Sequence, residues 1–525
     1  MSESLVVEQS VLVDVEPLVL APVAPKLPVD KTFRVYDQDQ PMLLPPDLRD
    51  WLASGHPARM IDDLVEHGLD LSVVYADYTE VRGAPPYDPR LMLKILIYGY
   101  SHGITSSRAL ERRCHDDVAF RFLTAQAAPD FVAIARFRTR HGAALKQMFV
   151  QSLALCAKAG LVSLGRVALD GTKLRASASR HRAMSYDRMV RAEVELAAEV
   201  EQLVAEAERI DAAEDASYGS DRRGDELPAE LTRRQDRLAV IGKAKAALEA
   251  EHAAAARVKA EQTAGNSAEP AADNVAEPIE TAADNVAEDA AAPVVVVPQA
   301  VVPEAVVPEV VVPEVVPEVV VPDKAQRSFT DPDARIMKTS DGSFHYCYNA
   351  QAIVDERSQV VLAAALRQSG ADCPALPVML GELAASLAAA GIEGSPRTLL
   401  ADAGYFSADN IAAVIAAGID PLIATGRLKH GQQIPPAPRG RIPNGQSAKQ
   451  LMARKLRTKK GKADYARRKA IVEPVFGQVQ VAQNGDHLRL RGTVKADFEY
   501  SFHLACHNFR KLFASGWTPA QPALA

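Results

Sequence analysis

Cysteine and long apolar runs are both scarce in this chain of 525 residues. The five cysteines (Cys114, Cys156, Cys347, Cys373 and Cys506) are far apart and form no CxxC pair. That spacing suggests neither a zinc site nor a disulfide framework, and it fits a reducing cytoplasm. No run reaches the roughly 18 apolar residues that a bilayer-spanning helix needs, so no membrane contact is expected. The N-terminus opens with Glu3 and Glu8 and lacks a basic region followed by an apolar core, so no secretory leader is expected. The chain is 48% hydrophobic and 24% charged, enough apolar material for a large core, which excludes full disorder. At about 100–200 residues per domain, two to four domains are expected.

Positive charge is absent from one long stretch. Residues 260–323 hold 13 Asp/Glu and no Lys or Arg, so the net charge of −7 hides a balance of +6 over the rest. The basic residues cluster too: residues 427–495 contain 17 Lys/Arg against 3 Asp/Glu. Such a patch fits a polyanionic partner, although a solvated basic surface would look the same.

Composition and periodicity divide the chain. Residues 1–30, rich in Val, Pro and Ala, read as a disordered arm. Residues 31–160 read as a helical domain. Asp88-Pro89 and Asp130 are helix starts, and Thr105 or Ser106 caps a helix bearing Arg108, Arg112 and Arg113. Arg136, Arg138 and Arg140 are interleaved with Phe131, Ile134 and Phe137. A helix-turn-helix-like DNA reader and a plain bundle with solvated arginines fit this pattern equally. In 161–185 a strand leads into Asp170, placed at its end before Gly171. Residues 186–259 carry heptad-spaced Met189, Leu196, Leu203 and Ile210, then Leu231, Leu238, Ile241 and Leu248, which predicts an antiparallel helical hairpin insertion. Residues 260–327 repeat Ala-Ala-Asp-Asn-Val-Ala-Glu and Val-Val-Pro-Glu, the mark of an extended acidic linker.

Residues 328–515 read as α/β. Tyr346 to Val354 and Gln359 to Leu366 form a hairpin, and Pro377 opens an apolar helix. A strand at Thr398–Leu400 leads into Asp402, Ser407 caps a helix, and a short strand follows at Pro421–Ala424. Residues 427–464 form a basic, Gly/Pro-rich insertion. A helix from Tyr465 carries Glu473, a last apolar helix spans Phe498 to Phe513, and 516–525 are a tail.

Three acids stand out: Asp170 at a strand end, Asp402 after a later strand, and Glu473 on a helix. Three carboxylates can hold two Mg²⁺ ions about 4 Å apart for in-line displacement at phosphorus. Each alone has an ordinary reading: a turn cap for Asp170, an Asx-turn for Asp402, an ion pair with Lys469 for Glu473.

Their order, with the residues around them, resembles the DDE transposases of bacterial insertion sequences, in the superfamily that includes the IS-four and IS-five groups. The motifs are Ala168-Leu169-Asp170-Gly171-Thr172-Lys173, Ala401-Asp402-Ala403-Gly404-Tyr405, and Arg468-Lys469-Ala470-Ile471-Val472-Glu473-Pro474-Val475-Phe476-Gly477. Arg136-Phe137-Arg138 and His507-Asn508-Phe509-Arg510-Lys511-Leu512 also match. The resemblance covers residues 31–260 and 328–515. It implies an RNase H-like α/β core behind an all-α N-terminal domain, with Asp170, Asp402 and Glu473 as catalytic and metal-binding residues. It also implies two Mg²⁺ ions, replaceable by Mn²⁺, and cleavage and joining of double-stranded DNA at terminal inverted repeats and target. Tyr465 and Arg468 take the roles that hold a terminal phosphate, with Tyr465 one residue further from the Glu than is common. Gln480 replaces a family Lys, for which Arg489 or Arg491 could substitute. Arg136, Arg138, Lys455, Arg457, Lys459, Lys460 and Arg491 are the expected DNA contacts. A homodimer on DNA and a bacterial, nucleoid-associated location follow from the same resemblance.

Two other readings fit the residues. One is a transposase-derived DNA-binding protein of little or no catalytic activity, motivated by Gln480 and the acidic linker. The other is a nuclease without sequence preference.

Overall fold

The computed structural model describes residues 47–79, 85–179, 182–218, 229–266, 320–426 and 436–517. The expected N-terminal arm, most of the acidic linker, the turn of the helical hairpin and the end of the expected tail lie outside these residues.

The helical region comprises α1 (Pro57–Asp63), α2 (Ser72–Ala76), α3 (Pro89–Ser101), α4 (Ser107–Asp116), α5 (Val118–Leu123), α6 (Phe131–Arg140) and α7 (Gly142–Lys158). Two starts are as the sequence predicts. The Asp88 carboxylate accepts from Arg90 N at 2.8 Å with Pro89 in the first turn, and Asp130 accepts from Val132 N and Ala133 N at 2.8 and 2.9 Å. Ser106 stands at the N-cap of α4 but its side chain makes no capping bond. Helix α3 is buried on nearly every side through Leu93, Ile95, Leu96 and Ile97, as a mostly apolar helix must be. Its buried cation, Lys94, is held by Asp62 and Glu66, each at 2.5 Å.

The sheet begins with β1 (Arg166–Arg175). The chain then leaves it through β2 (Ala183–Ser185), α8 (Tyr186–Tyr218) and α9 (Ala229–Asn266), and returns through β3 (Gln326–Ser328). Strands β2 and β3 pair antiparallel and clasp the base of this insertion. Met189, Leu196, Ile241 and Leu248 form its own small core. The pairs Tyr186–Glu249 and Glu193–Lys245, with Glu199–Arg234, run in opposite senses, so the hairpin is antiparallel as the heptads predict. The edges of the expected linker are structured. Helix α9 continues to Asn266, and β3 starts inside the expected linker because β2 offers it a partner strand.

After β4 (Arg335–Lys338) come β5 (Phe344–Asp355), β6 (Val361–Arg367), α10 (Ala375–Ala389), β7 (Thr398–Ala401), α11 (Ala408–Ala416) and β8 (Asp420–Ile423). Strand β1 is central: β5 lies antiparallel on one side and β7 parallel on the other, with β8 parallel beyond β7. Strands β4 and β6 pair with successive parts of β5. The architecture is therefore a mixed α/β sheet behind a helical region, and one continuous apolar core runs through both.

Four helices close the chain: α12 (Ala448–Arg457), α13 (Lys459–Ala466), α14 (Arg468–Gly477) and α15 (Thr493–Ala514). Two of them correct the sequence reading. The expected basic insertion contains α12, started by a reciprocal Ser447–Gln450 capping box, and α13, capped by Thr458. Tyr465 lies in the last turn of α13, and a corner at Arg467 separates that helix from α14, so Tyr465 and Glu473 sit on different helices.

Helix α15 packs on both α7 and β6. Glu499, buried on it, accepts from Arg489 N at 2.7 Å, Leu490 N at 2.8 Å and the Tyr100 hydroxyl at 3.3 Å. Arg138 completes this network, donating to the Tyr100 hydroxyl, Thr105 O and Ser107 Oγ at 3.0, 2.7 and 2.5 Å. At 7% exposed, Arg138 is a buried strut, which corrects its expected place on a DNA-facing surface. Its guanidinium is spent on fixed acceptors inside the helical region.

Candidate active site

Asp170 does not end its strand. Strand β1 continues five residues beyond it, to Arg175. Gly171, which suggested a turn, instead permits a close approach: a Cβ there would collide with the Gln351 amide on the neighbouring β5. Asp402 lies just beyond β7, parallel to β1, and its Oδ1 accepts from Gly404 N at 2.8 Å at the start of a short 3₁₀ turn. Adjacent parallel strands thus deliver both carboxylates to one region, Asp170 from within β1 and Asp402 at the carboxyl end of β7, where open α/β sheets place their sites.

A cavity of about 740 Å³ opens beside Asp402, lined also by Asp372, Gly404, Tyr465, Arg468 and Lys469. Arg468 Nη1 reaches from α14 to Asp170 Oδ2 at 2.7 Å, and Asp170 Oδ1 accepts from Gly171 N at 2.9 Å. The Asp170 side chain is only 19% exposed. Burial raises its pKa above the usual carboxylate range and nearby Asp402 adds to the rise, while Arg468 opposes it. Burial also raises the Tyr465 phenol, whose neighbours include Arg468, Asp402 and Asp170.

This electrostatic arrangement has a measurable sign. If Asp170 works as a carboxylate, activity must fall as pH drops through its raised pKa. Arg468→Gln removes the cation that holds that pKa down, so the acid limb of a pH–rate profile should move to higher pH. An unmoved limb would detach Arg468 from Asp170 ionisation.

Glu473 stands apart. It points from α14 to Lys469 at 3.8 Å, with 55% of its side chain exposed. Among the described residues no group of three acidic, histidine or cysteine side chains is close enough to hold a metal ion. Asp170 and Asp402 lie close enough for their charges to interact, and Mg²⁺ in general uses one or two carboxylates and keeps water on its remaining positions. The three-carboxylate cluster expected from sequence is not assembled in this conformation, because the exposed face of α14 turns Glu473 toward Lys469.

A polar layer supports Asp402 that the sequence reading missed. The Asp372 carboxylate accepts from Asn349 Nδ2 at 2.9 Å and Gln351 Nε2 at 3.1 Å, and Lys173 Nζ lies 3.6 Å away. The Tyr405 hydroxyl, three residues after Asp402, donates to Gln351 Oε1. The signal was present: Asn349 and Gln351 alternate along β5, whose other residues are mostly apolar, and both are fully buried.

The remaining expected contacts are spread out. Gln480 donates to Thr172 Oγ1 at 2.8 Å, two residues along β1 from Asp170. Arg491 is tied to Ser177 O and Oγ at 3.2 and 3.3 Å, and Arg489 opens to a different cleft. Lys455 pairs with Asp420, and Arg457 donates to Ala453 O in its own helix at 3.1 Å. Arg136, Lys459 and Lys460 are exposed.

Residues 46–140 match the Transposase domain (DUF772) family, and residues 322–509 match the Transposase DDE domain family. Carrying both domains, the chain belongs to the insertion-sequence DDE transposases. It is a DNA transposase, and DNA is its partner. Asp402 and Glu473 fall in the second matched segment, whereas Asp170 lies between the two and joins the site through strand pairing. No curated protein and no solved structure matches the chain. Among the described residues no helix is long and apolar enough to cross a membrane.

Proposed function

We propose that this transposase cuts the ends of its own element and joins them to target DNA at an RNase H-like site built on Asp170 and Asp402. The observation that carries the reading is the convergence of two carboxylates from adjacent strands beside Arg468 and Tyr465. The mixed sheet, with Asp170 on its central strand, supports the RNase H-like assignment.

Asp170 and Asp402 would hold a divalent cation, Mg²⁺ or Mn²⁺, which when bound lowers the pKa of an attacking oxygen and offsets charge on the phosphorane. Glu473, one helical turn from the cavity-lining Lys469, would complete a two-ion site by leaving Lys469 and turning inward. Arg468 and Tyr465 would orient the phosphate, and Asp170 must be ionised for the site to work. In the first step a water oxygen forms a bond to phosphorus and the P–O3′ bond breaks, leaving a 3′-hydroxyl and a 5′-phosphate. In the second, that 3′-oxygen attacks a target phosphodiester, and the target's own 3′-oxygen departs with a proton. Exposed Lys459, Lys460 and Arg136 would contact DNA phosphates, with Lys455 and Arg457 beside them. Two subunits would hold two element ends.

The purified chain with Mg²⁺ should nick a duplex carrying the element's terminal inverted repeat and then transfer the 3′-end. A random duplex of equal length should be cut far more slowly. Equal cleavage of both would indicate a nuclease without sequence preference, and binding with no cleavage in Mg²⁺ or Mn²⁺ would sink the catalytic reading.

A further inference from the structure

We propose that the cleft between α4 and the segment 484–489 is a binding site for a DNA backbone phosphate. The proposal rests on the transposase reading for its ligand but not on the Asp170–Asp402 site for its geometry.

Two distant segments build this cleft. One is the turn Gly103–Ser106 with α4, in the helical region; the other follows α14 and the π-helical turn Gln478–Ala482. They meet closely. Gly103 has a φ of +75°, and a Cβ there would lie 2.9 Å from Ala482 O. Asn484 Nδ2 donates to Gly103 O at 3.4 Å, and Thr105 O is fixed by Arg138 at 2.7 Å. The walls are therefore held from both sides, and the space between them is about 390 Å³.

The lining is basic. Arg112 and Arg113 come from α4 and Arg489 from the other wall, against a single carboxylate, Asp116. Among the described residues neither Arg112 nor Arg489 has an ion-pair partner, and Arg113 has only Asp117 at 3.8 Å. The remaining donors fit the same ligand. Helix α4 is ten residues long, has no acidic residue in its first turn and receives no side-chain cap from Ser106. Thr105, also lining the cleft, is 2% exposed and its hydroxyl has no hydrogen-bond partner. Unpaired guanidiniums, free amide donors at a helix start and an unpaired hydroxyl make a site for a compact oxyanion. A duplex phosphate meets that need on an open surface cleft. Because one wall follows directly from the helix carrying Arg468, a phosphate gripped here would set the register of the duplex on the protein.

Binding separates this proposal from the catalytic one. The full-length Asp402→Asn protein, without divalent metal, is titrated with a fluorescent 30-base-pair duplex of random sequence across a range of chloride concentrations. Arg112→Gln and Arg489→Gln should each weaken binding about tenfold, as loss of a charge-assisted contact implies. Each should also flatten the log Kd against log salt plot by about 0.9, the slope of one phosphate. The double variant should lose little more than either single one if both hold the same phosphate. Arg112→Lys and Arg489→Lys should restore the slope, and unchanged melting temperatures would exclude misfolding as the cause. Unchanged affinity and slope in both Gln variants would overturn the site. So would selective loss of inorganic phosphate binding with DNA binding intact, which would mark a free-anion site. The expected slope change, together with failure of the unaltered protein to nick terminal-repeat DNA in Mg²⁺ or Mn²⁺, would leave the cleft standing and remove the catalytic reading alone.

Discussion

Asp170→Asn and Asp402→Asn should each reduce strand cleavage to background while leaving the melting temperature and DNA binding near those of the unaltered protein. The substitution is nearly isosteric, and it removes the negative charge that a divalent cation requires. For Asp170 the two effects on the fold oppose each other: burial makes its ionised form costly, while the change also removes its ion pair with Arg468. Asp402 keeps an oxygen to accept from Gly404 N after the change, so its turn survives. Glu473→Gln gives the sharper result. If Glu473 turns inward to complete the site, it should fall with the other two. Near-normal cleavage by Glu473→Gln would confine the chemistry to Asp170 and Asp402, and retained cleavage in all three variants would remove the assignment altogether.

Arg138→Met should produce the largest loss of stability. The change keeps most of the side-chain volume but leaves the Thr105 carbonyl and the Ser107 hydroxyl without their donor, and Glu499 without its nearby cation. Breaking a buried charge network in this way costs about 3–5 kcal/mol. Burial already raises the Glu499 pKa above 4.5, the backbone N–H of Leu490 and the Arg138 charge opposing the rise. Without Arg138 the pKa rises further. A group whose pKa is higher folded than unfolded favours folding below its unfolded pKa and loses that advantage as pH climbs through the folded value. The deficit of the variant, read from urea midpoints, should therefore grow as pH rises through the folded pKa of Glu499. A deficit below about 1 kcal/mol, typical of an exposed ion pair, would contradict the buried-strut assignment.

The two acids that meet were legible because each follows an apolar strand pattern. The polar layer beneath them was not, since a buried Asn or Gln reads as a strand interruption until its partner is known. Asp372 is a case in point: its partners Asn349 and Gln351 lie more than twenty residues earlier in the chain. The assignment of Arg138 to DNA came from the alternation of Arg136, Arg138 and Arg140. Spacing on one helix does not say which guanidinium turns inward, and Tyr100 and Glu499, which decide it, lie far away in sequence. Helices α12 and α13 were obscured by lysines and glycine. Gly461 is tolerated inside α13 because the Lys455 carbonyl packs where a side chain would be. Glu473 was recognised as an acid on a helix, but local periodicity did not fix the face of α14 that carries it.

Strand β1 pairs with β5 and β7, both later in the chain, with the helical hairpin and the acidic segment between. On the ribosome, the strand bearing Asp170 therefore emerges without a partner. It waits while about 180 further residues are made, on the order of 10–40 s at roughly 5–20 residues per second. During that interval Val167 and Leu169 have no sheet to enter. The hairpin can collapse on its own heptad seam during the same delay, so the inserted helices give the nascent chain something to fold while its central strand is unprotected.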